Sequence, residues 1–241
     1  MIIEFFESQS NIKKAAMQKF IFLVIIFMTG SIIYSQIPCK DIPTVTYLGK
    51  TYNTVQIGTQ CWLRENLDAG TMIQGKQNQA NNGIIEKYCY NDSTINCDKY
   101  GGLYQWAETV QYLFGTSNTT PPSKAFVGNI QGICPTGWHI PTIAEFGILA
   151  TVNNDNDAVK AVGQGKGYGT GNNVSGFSAL LTGNRDNSGA FYNLGNSAYF
   201  WSSMEFDEAN AQYMDLFLNN SNFYFNNSVK GYGASVRCLK D

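Results

Sequence analysis

His139 is the only histidine of this 241-residue chain, set in Cys134-Pro135-Thr136-Gly137-Trp138-His139-Ile140-Pro141-Thr142. Any Ser/His/Asp or Cys/His mechanism would have to use that imidazole. Trp138 on one side and Ile140-Pro141 on the other point instead to a packed, structural histidine. No G-x-S-x-G elbow is present, and the six cysteines are better explained as disulfides than as nucleophiles. Glu205, Asp207 and Glu208 gather behind Trp201-Ser202-Ser203 and could be read as a glycosidase carboxylate pair, although a solvated loop is the simpler account. Asn153, Asp155 and Asp157 alternate like the head of an EF-hand loop. Ala158, however, stands where its turn glycine belongs, and Gln164 where its bidentate acid belongs. A zinc site is disfavoured because there is no C-x-x-C pair and one histidine only. Gly163, Gly165, Gly167, Gly169 and Gly171 alternate through residues 163–171 without the G-x-G-x-x-G or P-loop spacing, so a mobile surface loop is expected there. These residues predict no catalytic centre, no metal and no cofactor.

The elements that would position such residues are clearer. Thr142 with Glu145 three residues on makes a capping box at the head of a helix over 143–152. Residues 44–66 form three short runs rich in Val, Thr, Tyr and Ile, broken at Gly49-Lys50 and Gly58-Thr59-Gln60, which predicts an antiparallel meander. In 101–114, Leu103, Trp106, Ala107, Val110 and Leu113 fall at helical spacing and predict a second, amphipathic helix. The polar, Asn-rich stretch 68–98 between them holds a loop bracketed by Cys89 and Cys97. From residue 177 onward the pattern is strand-like, with candidates at 177–181, 200–203, 212–218, 223–226 and 234–239.

One hairpin can be given a register. If Asn219-Asn220 is a two-residue turn, facing residues have numbers summing to 439, so Leu216 faces Phe223 and Met214 faces Phe225. The large aliphatic side chains then share one face. The other face collects Phe217 with Asn222, Asp215 with Tyr224, and Tyr213 with Asn226, and a one-residue slip would destroy that sorting. An aromatic and amide surface is left open to solvent.

Lysines 13, 14 and 19 followed by the apolar run 20–28 predict a signal peptide over 1–35, with the mature chain starting at Gln36 and forming a single domain over 36–241. Removing the three lysines and two glutamates of that leader leaves 13 basic against 16 acidic residues, without a cluster of either sign. A nucleic-acid partner is therefore disfavoured. The leader is not expected to be a membrane anchor, because polar Thr29, Gly30 and Ser31 interrupt its apolar run short of about 20 residues, and no membrane span is expected after it is removed. Six cysteines fit an oxidising compartment, and spacing selects Cys89 with Cys97, Cys134 with Cys238, and Cys39 with Cys61.

The segments CPTGWHIPTIAEF, GFSALLTGNRDNSGAFYNLG, YFWSSMEF and YGASVRCLKD, with TVQIGTQCWLRENL and YGGLYQWAE before them, resemble the Fibrobacter succinogenes major paralogous domain. The resemblance runs from about Thr44 to Asp241. It implies export to the cell surface or medium in bacteria of the Bacteroidota and Fibrobacter type. The implied fold is α+β and C-type-lectin-like: two helices packed on twisted antiparallel sheets, disulfide-stapled, with Cys134 joined to Cys238. The Glu-Pro-Asn, Gln-Pro-Asp and Trp-Asn-Asp motifs of calcium-dependent lectins are absent, and Trp201 is followed by Ser202-Ser203. Calcium-mediated sugar binding is not implied. The Asn/Tyr/Phe/Ser-rich run 219–228 is similar to the variable binding faces that this fold presents elsewhere. The expectation is a non-catalytic binding module for an extracellular protein or glycan, using Tyr213, Asp215, Phe217, Asn222, Tyr224 and Asn226, with Arg185 on a neighbouring loop. An extracellular carbohydrate-active hydrolase and a structural envelope or matrix component are the alternatives.

Overall fold

The computed structural model describes residues 36–241, so the expected signal peptide lies outside the described residues. The meander forms as the alternation requires: β1 (Thr44–Tyr47), β2 (Lys50–Ile57) and β3 (Gln60–Leu63) pair antiparallel. Tyr47 faces Lys50 across Leu48-Gly49, both with positive φ (46° and 82°), the backbone of a tight primed turn. The short β4 (Thr71–Met72) and β5 (Glu86–Lys87) pair parallel beside it. Between the paired Cys89 and Cys97 the chain is partly helical, with α1 (Thr94–Tyr100) closing the expected loop.

The amphipathic helix expected over 101–114 is reduced to the single turn α2 (Trp106–Thr109). Tyr104 is bridged to Ala234, which holds the first residues extended, and Gln111, Tyr112 and Phe114 take φ of 54°, 50° and 56°, which no right-handed helix accommodates. The apolar spacing reflects burial of Leu103, Trp106, Ala107 and Val110 around an irregular backbone. By contrast α3 (Ile143–Asn153), which follows β6 (Trp138–His139), starts as predicted. Thr142 Oγ1 accepts from Glu145 N at 3.2 Å while the Glu145 carboxylate accepts from Thr142 N at 2.8 Å.

The C-terminal part builds a second five-stranded sheet from β7 (Thr182–Arg185), β8 (Phe191–Leu194), β9 (Ser197–Glu205), β10 (Asn210–Phe217) and β11 (Tyr224–Val229), in the order β11-β10-β9-β7-β8. Residues 177–181 and 234–238 run beside these strands with isolated bridges at most. The chain ends in β12 (Leu239–Lys240), which enters the first sheet between β3 and β6. The β10–β11 register is the expected one: Asp215 faces Tyr224, Met214 faces Phe225 and Tyr213 faces Asn226. The two-residue turn is not formed. The ladder stops at Asp215 and Tyr224, and the buried Lys160 ammonium donates to the carbonyls of Phe217 and Asn220, at 3.2 and 3.0 Å. The glycine-rich stretch packs against the same tip. Lys166 N donates to Leu218 O at 2.8 Å, and a Cβ on Gly169 would lie 2.4 Å from that carbonyl, so close backbone approach requires glycine there.

One core cluster joins Val55, Ile57 and Trp62 of the first sheet to Phe200, Met214 and Leu216 of the second through Phe146 and Leu149 of α3. All six cysteines are paired as the spacing required: Cys39–Cys61, Cys89–Cys97 and Cys134–Cys238. The result is an α+β chain dominated by sheet, with one helix longer than two turns among the described residues.

Candidate functional site

Cross-strand partners share a face of a sheet. Met214 pairs with Phe200 and Leu216 with Ala198 on the core side of β9 and β10. On the opposite side Tyr213 therefore meets Trp201, and Asp215 meets Tyr199. The rings of Tyr199 and Tyr213 stand edge to face at 5.6 Å, and those of Trp201 and Tyr213 at 5.9 Å. Tyr192 joins from β8 and Tyr232 from the C-terminal segment. Together they line a cleft of about 300 Å³ across this face, at the small end of the range for small-molecule sites. Trp201 is its floor, fixed by an indole N–H donated to Tyr104 O at 2.8 Å.

The polar side chains of the cleft are also held in place. Asn184 of β7 is 8 % exposed, and its Oδ1 accepts from Asn193 Nδ2 at 3.0 Å, while the same Asn193 amide reaches Tyr199 Oη at 3.3 Å. Asn184 Nδ2 has no protein partner among the described residues. Asp186, two residues on and so on the same face, uses Oδ1 for Ser188 N, Ser188 Oγ and Ala190 N at 2.8, 2.7 and 3.0 Å. Burial opposes its charge slightly, but these bonds win and lower its pKa, so it is a carboxylate at neutral pH. Asp186 lines the cleft, and its Oδ2 accepts no hydrogen bond from the described residues. Among the described residues no lysine or arginine lines the site.

The residues expected from the hairpin divide. Tyr213 lines the cleft. Asp215 lies on the same face but is buried, its carboxyl pushed up to about 6 by desolvation despite the amide that Asn226 donates at 3.2 Å. Phe217 and Tyr224 form an edge-to-face pair at 5.3 Å nearer the tip. Asn222 belongs to a separate shallow groove between the tip and the end of α3. Arg185 is not on the face. It is 1 % exposed and alternates away from Asn184 and Asp186. Its guanidinium donates to the carbonyls of Gly75, Gln77 and Gly231 and lies 4.5 Å over the Tyr88 ring, so it buttresses the cleft wall from behind.

The other candidate chemistries are absorbed by structure. His139 sits between two carboxylates, Nδ1 2.7 Å from Asp241 and Nε2 3.0 Å from Glu145, and donates to both when it is protonated. Burial works against its charge, but the two carboxylates outweigh it and raise the imidazole above its usual value. Glu205 pairs with the buried Lys230, and Asp207 ties its own turn by accepting from Ala209 N and Asn210 N. Asp155 caps a short turn, and Asp157 pairs with Lys160 at 3.0 Å. Among the described residues no group of three or more His, Cys, Asp or Glu is arranged to hold a metal ion. A larger hollow of about 540 Å³ contains Lys50, Arg64, Asp68 and Asp98, but Asp68 there is already neutralised by Lys50 and Lys87. None of the described helices is long and apolar enough to cross a membrane.

A disulfide-stapled α+β domain with an aromatic cleft on the open face of an antiparallel hairpin sheet is the class that fold and site define. The chain belongs to the Fibrobacter succinogenes major domain family, whose profile matches residues 55–240. No curated protein and no solved structure matches it.

Proposed function

We propose that the chain is an exported, non-catalytic binding module that recognises an extracellular protein or glycan through the aromatic face of β9 and β10. The observation that carries this reading is the cleft itself: tyrosine rings grouped with fixed amides and hydroxyls on the solvent side of a sheet whose other side is core. Tyrosine gives a large contact area at a small entropic cost, and amides supply directional hydrogen bonds. Three disulfides are compatible with export. The finer reading of the fold as C-type-lectin-like rests on the Cys134–Cys238 bridge between the residues that lead into α3 and those that lead into the last strand.

The test is an array of glycans and bacterial surface proteins probed with the purified, oxidised chain beside a Tyr192→Ala/Tyr232→Ala variant. Binding by the parent that the variant loses while keeping its melting temperature is the expected result. Absence of binding in both arrays would favour a purely structural role.

A further inference from the structure

We infer that the cleft takes an uncharged sugar ring of a glycan, stacked on Tyr192, Tyr213 and Tyr232 and hydrogen-bonded by Asn184 and Asp186. The inference rests on the binding-module reading and narrows it to one ligand chemistry.

Charge removes the first set of ligands. Among the described residues the Asp186 carboxylate is the one ionised side chain lining the cleft. Its nearest cation, Arg185, lies behind the wall with its guanidinium committed to the carbonyls of Gly75, Gln77 and Gly231, so phosphate, sulfate and uronate groups would meet a carboxylate and no cationic partner in the lining. Hydrogen-bonding capacity removes the next. Asn184, more than nine-tenths buried, presents an N–H donor without a protein partner, and Asp186 presents a free acceptor oxygen from the same face of the same strand end. Sequence spacing of two along an extended strand sets them roughly 7 Å apart. A donor and an acceptor at that separation suit a ligand whose groups are both acceptors and donors. Hydroxyls are both. A quaternary ammonium, the usual guest of an aromatic cage, is neither and would cover the Asn184 amide without replacing the water it gives up.

Shape supports the same choice. The polarised C–H bonds on one side of a pyranose fit the electron-rich face of an aromatic ring, while its hydroxyls project at the rim. The cleft volume of about 300 Å³ suits a small ligand. A protein partner would need roughly 800 Å² of contact on each side, far more than the cleft supplies. Asn193 completes the arrangement by fixing both Asn184 and Tyr199, so the amide that reads the sugar is oriented before the ligand arrives.

The experiment uses the oxidised full chain and a panel of neutral oligosaccharides, sialylated and sulfated oligosaccharides, tetramethylammonium and choline, read by tryptophan fluorescence. The surface-protein array is run in parallel. Trp201 at the floor is the expected reporter. Neutral oligosaccharides should bind. Tyr192→Ala, at a half-exposed ring on the sheet edge, should weaken binding about tenfold, the factor set by 1.4 kcal/mol. Asp186→Asn keeps Oδ1 for its turn but replaces the free acceptor by a donor. It should weaken binding comparably with only a small drop in melting temperature, because the turn loses its charge-assisted bonds at an exposed site. If only ammonium compounds or surface proteins bind, in a Tyr192-dependent way, the sugar inference falls and the binding-module reading stands. Sugar binding insensitive to both variants would overturn the site, and silence across the panel and the protein array would overturn both readings.

Discussion

At the scale of single residues, three buried titratable groups pull stability in the same direction. Glu108 is completely buried on α2, and burial pushes its carboxyl from 4.5 up to about 7, although Glu86 N donates to it at 3.0 Å. Asp215 is raised to about 6 from 3.8 by the same cause. His139 is raised because its two carboxylate partners outweigh its burial. For a group raised on folding, the favourable contribution is complete below its unfolded value and disappears as pH rises through the folded value. Stability should therefore fall as pH rises from about 4 through neutrality, with Asp215 acting from 3.8 to about 6, Glu108 from 4.5 to about 7, and His139 from 6.5 upward. Glu145, whose pKa is lowered by His139 and Thr142 in spite of burial, opposes this only as pH falls below 4.5. Thermal melts from pH 4 to pH 8 check the slope. Glu108→Gln should raise the midpoint at pH 8 and remove the part of the slope between pH 4.5 and 7, whereas an unchanged slope would mean that the folded carboxyl is ionised.

At the scale of elements, the hairpin tip is the point on which the open face depends. Lys160 brings an ammonium into the fold, pairs it with Asp157, and ties the carbonyls of Phe217 and Asn220. Lys160→Met fills similar space but leaves two carbonyls and a partly buried carboxylate without their cation. A loss of about 2–3 kcal/mol is expected, read as a shift in urea midpoint at constant m-value. Backbone amides of 219–223 should exchange faster, because the β10–β11 ladder ends at Asp215 and Tyr224 while β9 continues to hold β10 as far as Phe217. This tip also marks what the sequence could disclose. The register was readable because alternation of Met214 and Leu216 against Tyr213 and Asp215 admits one solution. The turn was not readable, because its conformation is set by Lys160, distant in sequence and visible there only as an isolated lysine. The same limit hid most of the cleft. Applying the alternation argument to β9 would have placed Tyr199 and Trp201 beside Tyr213, whereas Tyr192, Tyr232 and Asn184 arrive through the β7–β9 crossover and the C-terminal segment, contacts that no local period encodes. Periodicity likewise misled at 101–114, where burial imitates a helix that the backbone never forms.

At the scale of the whole molecule, the last ten residues couple the two sheets. Gly233 bridges to Arg185, Trp201 N donates to Ser235 O at 3.1 Å, and Leu239 then lies between Trp62 and His139 of the other sheet. Tyr232, Gly233 and Ala234 at the start of this segment are also one wall of the cleft. The wall is thus anchored at its far end by Cys238, which Cys134 holds across a sequence separation of 104 residues. Cys39–Cys61, by contrast, spans 22 residues and fastens the leading segment to β3, away from the cleft. Loop-closure entropy puts the loss of the long bridge at about 4–5 kcal/mol and that of the shorter one at about 3 kcal/mol. The more telling difference is local. In hydrogen exchange under native conditions, Cys134→Ala/Cys238→Ala should release the amides of 233–235 and Trp201, whereas Cys39→Ala/Cys61→Ala should leave them protected. Equal protection in the two variants would mean that the bridge contributes only to global stability, and that Arg185 with its loop carbonyls is sufficient to hold the wall in place.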